Sequence, residues 1–440
     1  MNLRTICALS LVLAVGCNEV EERLSWSPDG TQAILRADDE LYLLDASGNL
    51  SAVIASNVTD AAWLPDGRGL VLLRSLTVDK WKDAEDLLPP AEVDAVRTLA
   101  KSFLALGAQG VEQFELKRPE LANAAILYLF DTQSNALHQA LQTAKDPSKL
   151  EADLSNARTT TVWEISTASL DGKQLDVIER TLTGLEQPRP SPKGSAVAFL
   201  RGEALTVALL DGSTNVVVAE RVKSFDWAPD GKTLLYAKRL NDKDIYDPRV
   251  SEIYRCSIVE TNDALVAGET FGLAMSASAF APRVRCLADG RVLFAGVSLQ
   301  LPGQATGAGT ARFYVIDPAL GTNAVPVAIP SAAGTLPQDL GAFAPSPDGR
   351  RIAIVESGSD SVAVLDVASG ALEVLSPKRG WKSRILPAWR GNNELYFAAL
   401  PEASSTRPAL LRWSPGSMPQ VFSGAWTDEV LNSLLERPSK

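Results

Sequence analysis

Five of the seven aspartates that stand directly before glycine recur in one sequence context, close behind a proline or a short apolar segment: Asp29-Gly30, Asp66-Gly67, Asp230-Gly231, Asp289-Gly290 and Asp348-Gly349. Carboxylates repeated in this way could ring a pore, or each could accept hydrogen bonds from the backbone of its own turn. The dipeptide favours the second use, because Asp bonds backbone just downstream and Gly accepts positive φ. A tighter constellation, "NDKDIYD", places Asp242, Asp244 and Asp247 in one loop, a candidate weak cation site. It lacks the central glycine and distal glutamate of a calcium-binding hand. The chain has one histidine, His138, which argues against catalytic triads, His-rich zinc sites and haem ligation. No G-x-S-x-G elbow, P-loop, H-E-x-x-H or C-x-x-C occurs. No catalytic residue, metal or cofactor is therefore assigned. Cys256 and Cys286 are compatible with one disulfide in an oxidising compartment, or with two separate thiols.

Elements must hold these residues, and the first is a leader. Arg4 precedes the apolar run Ile6–Val15, which at about 15 Å of helix is too short to span a bilayer core of roughly 30 Å. The run ends in Ala14-Val15-Gly16-Cys17. This resembles the lipobox of bacterial lipoproteins. The resemblance implies a leader over residues 1–16, lipidation of Cys17 and a short tether over 17–23. Asn18 lacks the aspartate that retains many lipoproteins at the inner membrane, which points to the outer membrane facing the periplasm. A formal charge of −11 leaves no footprint for nucleic acid and is repelled by anionic lipid, so the lipid is the expected membrane contact.

Aligned on their turns, seven segments share one grammar. They begin "LSWSPDG" at Leu24, "DAAWLPDG" at Asp60, "RPSPKG" at Arg189, "FDWAPDG" at Phe225, "FAPRVRCLADG" at Phe280, "PSPDG" at Pro345 and "LPAWRGN" at Leu386. A short strand meets the turn; an apolar run, an alternating strand and a Gly hairpin follow. Four strands in about 40 residues is the signature of a propeller blade, a sheet that must stack on neighbours to cover its faces. The expected fold is all-β: a seven-bladed β-propeller over 24–423, with six or eight blades as alternatives. Trp26, Trp63, Trp227 and Trp389 recur near the first turn, which assigns them to packing between blades. The repeat is similar to that of TolB-like propellers, and "SDSVAVLDVASGALEVL" (Ser359–Leu375) resembles the YVTN-type repeat. These resemblances imply the fold and leave the partner open.

One stretch breaks the grammar. Residues 79–158 are rich in Ala, Leu, Glu, Lys and Gln, and Val93, Val96, Leu99, Phe103 and Leu106 fall at helical spacing between Pro90 and Gly107. "PELANAAILYLF" and "SNALHQALQTA" read as helices too, although "AAILYLFDTQ" also fits a strand. A helical insertion in the second blade, standing off the ring and docking a partner, is the expectation; packing on the rim or plugging the channel is the alternative. His138 falls within it as a surface or helix-packing residue. The tail, 424–440, has room for a short helix or a closing strand. The expected function is a non-enzymatic, lipid-anchored envelope scaffold for other envelope proteins. Small-ligand or glycan binding at the channel mouth is one alternative. A metal-dependent propeller lyase or lactonase is another, disfavoured by the single histidine.

Overall fold

The computed structural model describes residues 20–436, apart from 107–118, 144–145, 149–151, 153, 155–157, 240–249, 262–263, 278–282, 297, 300–311, 332–335, 337–339, 341, 357–358 and 403–404. Cys17 and the loop with Asp242, Asp244 and Asp247 lie outside the described residues.

The apolar runs form second strands covered on both faces, which is why they lack alternation. In Arg351–Val355, Ile352 and Ile354 pack with Phe313 and Val315 of the preceding blade, while Ala353 and Val355 pack with Leu395 and Phe397 of the next. Seven antiparallel sheets of this kind follow in chain order, spanning 24–56, 58–181, 185–219, 222–277, 284–328, 342–376 and 388–421. Each keeps its four strands in sequence order, and the fourth blade gains a short fifth strand, Ser298–Leu299. The seven-bladed propeller is the observed fold.

First strands of neighbouring blades adjoin one another, so they line the axis. Within every blade the Asp-Gly turn, or its counterpart, joins the first strand to the second, which puts all these turns at one end of the ring. Links from second to third strand, and from blade to blade, lie at the other end, here the entry face.

Three tryptophans tie blades together by one repeated bond. The Nε1–H of Trp63 donates to the Ser25 carbonyl (2.9 Å), that of Trp227 to Arg189 (2.8 Å) and that of Trp389 to Ala344 (3.0 Å), in each case on the first strand of the preceding blade. Trp26 occupies the same slot at the seam between last and first blades. Its indole nitrogen is buried with no hydrogen-bond partner among the described residues. The seam is closed by packing instead: Trp26 meets Tyr396 at 4.7 Å between ring centroids and lies under the Arg390 guanidinium.

Among the described residues no strand is shared across this seam; Glu21 and the C-terminal segment clasp it. Glu21 forms a parallel bridge beside Ile385, its N–H donating to the Arg384 carbonyl and its carbonyl accepting from Leu386. The tail provides both elements that its length allowed. A helix at Asp428–Leu434, capped by Thr427, leads into a strand, Leu435–Glu436, that pairs with Lys382–Ser383.

The insertion sits between the second and third strands of blade 2, Gly69–Val78 and Thr160–Ser169, each ten residues long. Its described helices are α1 (Trp81–Leu87), α2 (Pro90–Leu106), α3 (Pro119–Thr132) and α4 (Ser134–Leu141). "AAILYLFDTQ" is thus helical through Thr132: Ala124, Ala125, Leu127 and Leu129 are buried in a core of the insertion's own. This core runs onto the ring through Val162 and Leu182, and the Glu92 carboxylate accepts from Thr181 Oγ1 (2.5 Å) and the Leu182 N–H (2.8 Å). The insertion therefore packs against blade 2 rather than standing off it, since a helical group this small gains apolar cover from the lengthened hairpin. His138 is exposed on α4, 3.2 Å from the Gln142 side chain.

Candidate functional site

The five recurring aspartates before glycine are held in their own turns. Asp29 accepts from the Thr31 N–H, Asp66 from Arg68, Asp230 from Lys232, Asp289 from Arg291 and Asp348 from Arg350, each at 2.8–3.1 Å. The partnering glycines all have φ between 67° and 84°, the region open to glycine. None of these carboxylates reaches the axis.

A different set of charges does. Aligning the blades on their turns, the residue before the tryptophan slot is Ser25, Ala62, Arg189, Asp226, Arg285, Ala344 and Ala388 in turn. Two residues earlier stand Arg23, Asp60, Gln187, Ser224, Arg283, Ala342 and Leu386. The axial lining is thus charged from blade 1 to blade 5 and apolar in blades 6 and 7. Residues Val20–Glu22 cross the entry face and match both halves. Val20 is buried with Ala342 and Leu386. The Glu22 Oε1 atom meets Arg189 Nη2 at 2.8 Å and Arg283 Nη1 at 3.7 Å, and also pairs with Arg285. Arg283 donates a further bond to the Val20 carbonyl (3.3 Å).

The electrostatics follow from this crowding. Loss of water pushes the Glu22 carboxyl upward, but the guanidiniums of Arg189, Arg285 and Arg283 outweigh it and hold Glu22 well below the usual carboxylate range. Asp60 has no such cage. Desolvation, then the negative charge of Glu22, raise its pKa to about 7, against the opposing pull of Arg36 and Arg189. Arg285 falls to about 10 because it is desolvated and crowded by Arg189 and Arg283. Asp226 is engaged by backbone: its two oxygens accept from the Trp227 N–H (3.0 Å) and the Cys286 N–H (2.9 Å).

The two cysteines are free thiols. Cys256 packs between blades 3 and 4, whereas Cys286 lies on the far side of blade 4 against blade 5. A whole sheet separates them, so of the two alternatives they form separate thiols; a disulfide needs Cβ atoms about 4 Å apart. Burial, with Asp226, Asp230 and Asp289 nearby, pushes the Cys286 thiol up to about 12, away from thiolate chemistry. Among the described residues no group of three or more His, Cys, Asp or Glu is placed to hold a metal ion. Nor is any described helix long and apolar enough to cross a membrane.

The axial set escaped the reading of motifs because its members are scattered and the charge changes sign from each blade to the next, arginine in blades 1, 3 and 5 and aspartate in blades 2 and 4. A usable signal existed in the aligned blades: strands that must face the axis carry charge at two alternating slots, two residues apart.

No protein-family model matches the chain, and no curated protein matches it. Among solved structures, TolB from Acinetobacter baumannii is similar at 19% identity and a TM-score of 0.37, over 57% of each chain. The match thus spans little more than half the length of that protein. An oligogalacturonate lyase in complex with manganese aligns at 16% identity and a TM-score of 0.43, over 78% of this chain and 75% of the other. The Cps50 (Swd1) β-propeller domain of Myceliophteria thermophila aligns at 10% identity and a TM-score of 0.46, over 85% of this chain and 91% of that domain. At these identities the likeness is one of fold.

Proposed function

We propose that this chain is a lipid-anchored propeller of the bacterial cell envelope, at the outer membrane facing the periplasm, and that it acts without catalysis as a scaffold for other envelope proteins. The observation that carries the reading is the build of blade 2. Its central strands are ten residues long against five or six in blades 3 and 6, and their extension supports the four described helices of the insertion. Elements mounted on a rigid platform are where binding concentrates.

The topology supports a direction as well. The insertion and Val20 both emerge on the entry face. Cys17 stands three residues before Val20, a span of at most about 11 Å. A lipid on Cys17 therefore brings the entry face, and with it the insertion, toward the membrane. The four helices carry seven Asp and Glu against three Lys and Arg, which disfavours anionic lipid and favours a protein with a basic surface held at that membrane.

The test is photo-crosslinking in intact cells from Lys101 and Gln139, exposed positions on α2 and α4. Discrete adducts with one or a few envelope proteins are expected, together with lipid labelling that disappears in Cys17→Ser. Adducts no more specific than those from an exposed position on the turn face would overturn the scaffold reading; labelling that survives Cys17→Ser would overturn the anchor.

A further inference from the structure

Three guanidiniums converge on one carboxylate oxygen, and that oxygen belongs to a strap at the chain's start rather than to a blade. Their capacity exceeds what one oxygen accepts. Arg189 Nε is buried with no hydrogen-bond partner among the described residues, and Arg285 Nη1 turns back to the Val284 carbonyl at 3.2 Å. The Glu22 side chain retains 34% of its surface, so the cluster stays within reach of solute. The Glu21 carboxylate adds a second charged anchor, accepting from Arg23 Nε (2.8 Å) and pairing with Arg36, and the rest of the strap's hold is generic to an extended chain. One apolar side chain sits against Ala342 and Leu386, and one residue pairs its backbone with 384–386. Any segment with an apolar residue followed by two acidic ones could make the same contacts.

We propose that the axial mouth is a binding site for an extended peptide bearing a carboxylate two residues after an apolar side chain, and that Val20–Glu22 fills this site in cis. The proposal does not depend on the scaffold reading, and it gives Arg189, Arg283 and Arg285 a ligand class. A covalently attached strap competes at an effective concentration of about millimolar or more, so a peptide in trans binds weakly until the strap loses its charge. Asp60 and Asp226 set the selectivity. They partly offset the arginines, which limits how much negative charge the mouth accepts beyond the Glu21 and Glu22 positions.

The experiment uses the full mature chain carrying Glu22→Gln and a fluorescent, acetylated and amidated peptide of residues 18–23, with anisotropy as the readout. Glu22→Gln is expected to bind this peptide at least about tenfold more tightly than the unsubstituted protein, and a peptide with Gln in place of its own Glu22 at least about tenfold more weakly. Adding Arg283→Ala should abolish binding. Arg189→Lys, which keeps the charge and loses the fork, should weaken it in a protein whose melting shows that it is folded. Equal binding by Glu22→Gln and unsubstituted protein, equal binding of the two peptides, or no binding to either protein would each overturn the proposal. Glutarate that competes as effectively as the peptide would reassign the site to small carboxylates and overturn its peptide character.

Discussion

The same residue type behaves in opposite ways at the turn face and at the axis. Asp348, in the turn of blade 6, is exposed; desolvation pushes its carboxyl upward, but bonds from the Ser346 hydroxyl and the Arg350 N–H, with the charges of Arg350 and Arg351, together outweigh it and hold its pKa low. Asp60, on the first strand of blade 2, accepts among the described residues from its neighbour Ala61, and burial with the nearby Glu22 charge pushes it up to about 7. A carboxylate that recurs at every turn shapes the chain. One that appears in a single blade is free of that duty, and burial can tune it. In a repeat protein chemistry is to be sought where the repeat is broken, and here the breaks meet at the axis.

Perturbing the cluster tests that contrast most severely. Arg285→Ala removes one guanidinium from a carboxylate held by three, and a loss of about 2–3 kcal/mol in denaturant unfolding at pH 7 is expected, below the full cost of breaking a buried pair because Glu22 keeps contact with water. Since the Glu22 pKa is lowered by folding, its contribution is present above about pH 4 and fades on acidification, so the gap between variant and parent should narrow toward pH 3. An unchanged gap would remove Glu22 from the account.

Asp60 should show the reverse sign. A carboxyl raised by folding costs stability as it ionises, so the parent loses stability between about pH 4 and its folded value of about 7. Asp60→Asn should be about 1–2 kcal/mol more stable than the parent at pH 8, screening by water in the channel included, with no advantage at pH 4. A stabilisation independent of pH would point to packing instead.

A smaller effect separates the two occupants of the tryptophan slot. Trp63→Phe gives up the bond to Ser25, worth about 1 kcal/mol, whereas Trp26→Phe gives up no such bond; double-mutant cycles with the packing partners would isolate the difference. Least of all, Asp348→Ala should cost about 0.5–1 kcal/mol and leave any axial binding untouched. A loss of peptide binding in that variant would erase the distinction between turn and axis.

Much of the architecture was legible beforehand. The Asp-Gly turns gave blade spacing, and apolar runs such as Ala196–Arg201 marked strands covered on both sides. The helices of the insertion followed from Pro90 and from Val93, Val96 and Phe103 at helical spacing. Its posture was not legible, because Glu92 finds Thr181 and Leu182 only after nearly 90 residues of chain return to the same blade. The fate of Cys256 and Cys286 was likewise decided by a sheet lying between them.

Strand, turn and helix here are local matters, settled by dihedral preference, side-chain period and capping over a few residues, and repetition multiplied these weak signals into a firm count of blades. The axial cluster has no local cause. Glu22, Asp60, Arg189, Asp226, Arg283 and Arg285 are separated by up to 263 residues and are brought together only when the first strands close around one axis. Their pKa values, their pairing and the strap they hold depend on distances of a few ångströms, which ring closure alone supplies.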